Sequence, residues 1–166
     1  MSPRRVLAKP GLTILVLLSV TSGCILFGSQ TRGDPPSDDV RVEAPAPTAK
    51  VSEMCRMLTD EVPRNVAGAT QRATKPASPF TAAWGDPAII LRCGVPRPDE
   101  MNNPLALGGE VSGVAWMMER PGDDVYRCTT TLRKAYVEVT IPGKYGDVTT
   151  LMDLANAIHT TVPPGL

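Results

Sequence analysis

The chain has 166 residues, with 17 basic and 17 acidic side chains, 17 prolines, four cysteines, one histidine and only 4% aromatic residues. Balanced charge removes the broad electrostatic reason for binding nucleic acid. The lone His159 excludes a multi-histidine metal site, and the absence of any C-x-x-C pair excludes a zinc ribbon or a thioredoxin-type motif, so no cofactor is expected.

The amino end carries Arg4, Arg5 and Lys9 ahead of an uncharged, mostly apolar run at 11–28. Positive charge before such a run marks a secretory signal or a membrane anchor. As a helix the run would reach about 27 Å, close to the ~30 Å of a bilayer core. Two routes to the membrane follow. The run stays as an uncleaved helix, or Thr21-Ser22-Gly23-Cys24 acts as a lipoprotein box and Cys24 receives lipid. Either route tethers the amino end at the cell membrane and places the rest on the extracytoplasmic side.

Residues 29–50 are polar, contain Pro35, Pro36, Pro45 and Pro47, and show no apolar periodicity. Such a stretch buries too little surface to offset its ordering entropy and reads as a disordered linker. The remaining segment, 51–166, has the size of one domain.

That domain opens with VSEMCRMLTDEV, where Val51, Met54, Cys55, Leu58 and Val62 fall on one helical face, and Pro63 stops the helix. Next come FTAAW, a short strand, and Gly85-Asp86-Pro87, a turn. AIILRCGV is a continuous apolar run suited to a central strand. Within it Arg92 either reaches water at the strand end or pairs with a carboxylate such as Glu138. VSGVAWMM and VYRCTTTL read as strands, with Pro121-Gly122-Asp123-Asp124 as the turn between them and Arg133-Lys134 close to the next one. Gly108-Gly109 reads as a turn. AYVEVTI alternates strictly, Ala135, Val137, Val139 and Ile141 on one face and Tyr136, Glu138 and Thr140 on the other. The last element, VTTLMDLANAIHTTVPP, is a second amphipathic helix with Leu151, Leu154, Ala155, Ile158 and Val162 in its stripe. Its cap falls to Thr150, with Asp153 in capping-box spacing, or to Asp147 or Thr149. Helix, successive strands and helix predict an α+β fold: an antiparallel sheet with an amphipathic helix at each end of the domain, both packed on one face, after a membrane-anchor helix and a linker.

Outside the cytoplasm disulfides persist. Cys55 lies on the packed face of the first helix and Cys93 on the central strand, so these two are the expected pair, although spacing alone does not settle connectivity. Cys128 is then a small buried hydrophobe or, were Cys24 unlipidated, a partner for intermolecular pairing.

Taken together, Cys55, AAWGDPAIILRCGVPRP, SGVAW, YVEVTIP and the closing helix resemble the actinobacterial domain-of-unknown-function family 3515. The resemblance covers most of 51–162. It implies a small envelope protein with an amino-terminal membrane segment or lipobox, agrees with the Cys55–Cys93 pairing, and carries no activity.

The function expected is therefore a membrane-tethered, non-catalytic binding or structural module of the cell envelope. Its partners would be the membrane and an envelope protein or cell-wall ligand, met by a rim of Trp84, Asp86, Arg92 and Arg97 on turns flanking the sheet. Trp84 and Trp116 could equally be ordinary core aromatics. Two alternatives differ in class: a wall hydrolase using Asp86 and Glu138 as paired carboxylates, and a thiol metal or redox protein using Cys55, Cys93 and Cys128.

Overall fold

The computed structural model describes residues 38–165. The amino-terminal apolar run, Cys24 and the first part of the expected linker lie outside the described residues. Within them, no helix is long and apolar enough to cross a membrane.

Two helices and ten strands follow the chain order β1 (Val40–Arg41), α1 (Ala49–Glu61), β2 (Asn65–Val66), β3 (Ala69–Arg72), β4 (Thr74–Lys75), β5 (Thr81–Trp84), β6 (Ile89–Cys93), β7 (Leu107–Val111), β8 (Val114–Gly122), β9 (Val125–Thr130), β10 (Val137–Pro142) and α2 (Asp147–Thr161). Eight strands form one antiparallel sheet in the order β2-β3-β5-β6-β10-β9-β8-β7. The expected α+β class is observed. AIILRCGV supplies the central β6, and β10 pairs it with Val139 opposite Leu91 and Glu138 opposite Arg92.

Period-two patterning sets which face is covered. Leu91, Val139, Cys128 and Met118 lie opposite one another across β6, β10, β9 and β8. Ile89, Leu91, Val137, Val139, Ile141 and Cys128 are fully buried with Cys55 and Leu58 of α1 and Leu151, Leu154 and Ile158 of α2. Both helices thus share the inner face, as their stripes require.

Three turns differ from their sequence reading. Ser112 (φ 49°) and Gly113 (φ 76°) make a two-residue hairpin between Val111 and Val114, so VSGVAWMM is split into the end of β7, a turn and the start of β8. Positive φ at both central positions matches strand twist. Gly108-Gly109 lies inside β7 and makes no turn. As an edge strand, β7 needs no apolar alternation. Pro121 and Gly122 extend β8 past an irregular register, which leaves Asp123-Asp124 as the turn. At the start of α2 the N-cap is Gly146, and no side chain caps it. Asp147 accepts from the adjacent Val148 N–H at 2.8 Å, while Asp153 Oδ2 accepts from Ala67 N–H at 2.7 Å, which ties α2 to the β2–β3 turn.

The expected linker is ordered from β1 onward. Val40 N–H donates to Ala73 and Val42 N–H to Lys75, making a small parallel sheet of β1 with β4. Arg72 donates to the Asp38 carbonyl at 2.6 Å and Arg92 Nε to the Glu43 carbonyl at 3.0 Å. Val42 and Pro45 are buried. Two arginines from the sheet satisfy backbone carbonyls of this segment, a contribution that its own composition does not display.

Candidate functional site

The stretch from Trp84 to Pro98 gathers several of the predicted site residues, and the fold sends them to different places. Trp84 is fully buried on the inner face, and its indole N–H donates to the Pro63 carbonyl at 2.9 Å, just past the end of α1. It is a core aromatic and forms no rim. Gly85 (φ 69°) turns the chain, and a Cβ there would collide with the Tyr145 hydroxyl. Asp86 is exposed in that turn, and its carbonyl accepts from Lys144 Nζ at 2.6 Å. Arg92 is on the outer face, where Nη1 meets Glu138 Oε1 at 3.1 Å, and Arg127 Nε stands 3.9 Å from the other carboxylate oxygen. Arg92 and Glu138 are thus a cross-strand pair in register, one of the two readings open for Arg92. Arg97 lies beyond the far end of β6. The five residues of β6 put about 16 Å between the Asp86 turn and the Arg97 loop, so Trp84, Asp86, Arg92 and Arg97 do not form one rim.

The same register bears on paired carboxylates. Glu138 is held opposite Arg92, while Asp86 lies in the turn before Ile89 at the start of β6. Ile89 to Arg92 alone spans about 10 Å of backbone, and the Glu138 carboxylate is engaged by Arg92 at 3.1 Å and faces Arg127 at 3.9 Å. Among the described residues no hydrogen bond or shared groove joins Asp86 and Glu138.

Cys55 and Cys93 form a disulfide with a Cα separation of 5.4 Å. It ties α1 to the central strand. Cys128 is a free, fully buried thiol on the inner face. Burial pushes its pKa up to about 12, with a smaller push from the negative charge of Asp147. Such a thiol is inert.

A concave site does exist, on the outer face at the β7 end of the sheet. Its volume is about 490 Å³, within the range of small-ligand sites. Gly108 and Ala115 bring little side chain to the outer face of β7 and β8, and Met117, almost fully buried, makes an adaptable apolar floor. Leu107 and Leu132 stand exposed at its margin. Arg97 lines one side, held by Asn102 Oδ1 at 2.7 Å and the Met101 carbonyl at 3.1 Å.

Arg133 lines the other side. It donates to the Val162 carbonyl at 2.9 Å and the Gly113 carbonyl at 3.2 Å, and its Nη2 lies 3.2 Å from His159 Nδ1. His159 Nε2 meets the Ser112 carbonyl at 3.0 Å. An arginine donor on one ring nitrogen and a carbonyl acceptor on the other assign the neutral Nε2–H tautomer. His159 is therefore exposed but tethered, and it pins the end of α2 to the β7–β8 turn.

A second concavity adjoins the first at Arg133 and Tyr136 and adds Lys50 and Lys134. Among the described residues, four cations and no aspartate or glutamate line the two concavities. In a chain of zero net charge this is a local excess of one sign. Of these four, sequence reasoning singled out only Arg97 as a binding residue. Lys50 fell in the expected linker, and Arg133 and Lys134 read only as a turn. Trp116 also lines the groove. It is almost fully buried, and its indole N–H has no partner among the described residues, unlike that of Trp84.

A family model described as a protein of unknown function, DUF3515, matches residues 12–165, as the motifs around Cys55 and Trp84 to Val95 imply. No curated protein and no solved structure matches the chain.

Proposed function

The chain belongs to the DUF3515 family of proteins of unknown function, and from that premise we propose a membrane-tethered, extracytoplasmic module that acts by binding, without catalysis. The observation that carries the location is the Cys55–Cys93 disulfide, a bond of the kind kept in oxidising compartments. The basic residues ahead of the apolar run at 11–28 support the same side of the membrane, with the uncleaved run or a lipidated Cys24 as the anchor.

The binding surface is the pair of adjoining grooves. An apolar floor at Met117 with cations at Arg97, Arg133, Lys134 and Lys50 suits an amphipathic envelope ligand that carries an anionic group, from a lipid or a wall polymer. The rim first expected around Trp84 and Asp86 gives way to this surface, and Arg97 belongs to both.

Two measurements test the reading. Protease added outside intact cells should digest the domain while cytoplasmic proteins survive, and protection of the domain would end the proposed location. Native mass spectrometry of the full chain extracted in neutral detergent should show a retained anionic adduct that is lost in the K50E/K134E double variant. No adduct on the wild type, or an equal one on the variant, would end the proposed binding surface.

A further inference from the structure

The two edges of the main sheet are unlike. At one edge β2 has two residues, and its turn is held to α2 through Asp153. At the other, β7 has five residues, Leu107–Val111, of which the first four are exposed. Among the described residues it pairs only with β8, in an unbroken register from Leu107 opposite Met118 to Val111 opposite Val114. Natural edges are blunted by proline, charged side chains, bulges or short length. LGGEV has no proline, bulge or lysine, its one charge is Glu110, and it presents the outward backbone N–H and C=O groups of Gly108 and Glu110 unpaired within the described residues.

We propose that β7 is the contact edge for a second copy of this chain: two β7 strands pair antiparallel about a two-fold axis through Gly109. An antiparallel pair with such an axis is self-complementary, and the sequence of β7 suits it. Centred on Gly109, Leu107 faces the partner's Val111 and Glu110 faces the partner's Gly108. Leu107 and Val111 share the inner face, so the pair buries a leucine that is 70% exposed in the single chain. Glu110 and Gly108 share the outer face. Each Glu110 then stands beside a position with no side chain, at the end of a groove that carries Arg97 and Arg133 and no acid of its own. Moving the axis to Gly108 leaves Val111 outside the strand pair, and moving it to Glu110 sets Leu107 against the Ser112-Gly113 turn. Only the Gly109 axis pairs all five residues.

The inference stands apart from the proposed ligand, because it concerns the β7 end of the groove and is read by self-association. The test uses the full chain in its own membranes. A Cβ at Gly109 meets nothing within 4 Å, so G109C fits the single chain, and across the axis the two new side chains would lie within roughly 5.5 Å. Mild oxidation of G109C should give a band at twice the monomer mass that reductant removes. Wild type, which measures any background from Cys24, and D123C in the exposed β8–β9 turn should not. E110P, which removes an outward-facing backbone donor while leaving the Gly109–Trp116 ladder pair to β8 intact, should shift the detergent-extracted chain to monomer, and E110K should weaken self-association by about tenfold or more. Counting thiols in each variant checks that the Cys55–Cys93 bond, and hence the fold, is intact. The proposal falls if G109C gives no dimer above the two controls, if it cross-links to a different protein, or if a dimer survives both E110P and E110K in variants that retain the disulfide.

Discussion

Across the three central strands the inner face presents Leu91, Val139 and Cys128, and one residue along, the outer face presents Arg92, Glu138 and Thr129. The inner row is fully buried and touches both helices. The outer row holds a charged pair, with Arg92 27% and Glu138 13% exposed, and a buried Thr129 hydroxyl with no partner among the described residues. The inner face holds the fold together by burial and a covalent brace. The outer face carries polar groups held by cross-strand ion pairs, and where side chains shrink to Gly108 and Ala115 it opens into a groove. Stability is thus concentrated on one side of the sheet, and the proposed binding surface lies on the other.

Four perturbations separate the faces, from the largest expected effect down. The C55S/C93S variant loses the constraint that a bridge across 38 residues puts on the unfolded chain, about 4 kcal/mol by loop entropy, read as a lower denaturant midpoint. L91A empties the centre of the inner face and should cost about 3 kcal/mol in the same measurement. E138Q, its outer neighbour, leaves Arg92 its Glu43 carbonyl and should cost about 1 to 2 kcal/mol. Should E138Q cost as much as L91A, the division of labour between the faces is wrong.

The smallest effect is absent at neutral pH. Above its ordinary value of 9.0 the Cys128 thiol of the unfolded chain gives up its proton, while the folded chain keeps it until about 12. The unfolded state then binds fewer protons, so stability falls as pH rises through that window and is flat in this respect below it. C128A should remove that decline, and native Cys128 should stay unlabelled by a thiol reagent at pH 8 while the fold is intact.

The inner face was legible in the sequence because burial on one side writes a period. Val51 to Val62, Leu151 to Val162 and Ala135 to Ile141 each repeat at the spacing of the element they form, and both helices and β10 follow. The β7 edge, the short β2–β4 strands and the ordered β1 segment had no such signal. Their stability comes from partners distant in the chain, such as the arginines that hold the Asp38 and Glu43 carbonyls. For the same reason the candidate site was only partly visible. Arg97 was singled out, but Arg133 and Lys134 join it from one further stretch of chain and Lys50 from another.

By itself, the sequence determined the fold class, the apolar side of both helices and of β10, and the candidate pairing of Cys55 with Cys93, since each is local composition or local period. Tertiary structure alone decided that Trp84 is core, that Arg92 answers Glu138, and that Arg97, Arg133, Lys134 and Lys50 share a pair of grooves. Those facts depend on strand order and register, which are set by the energy of the whole packed sheet.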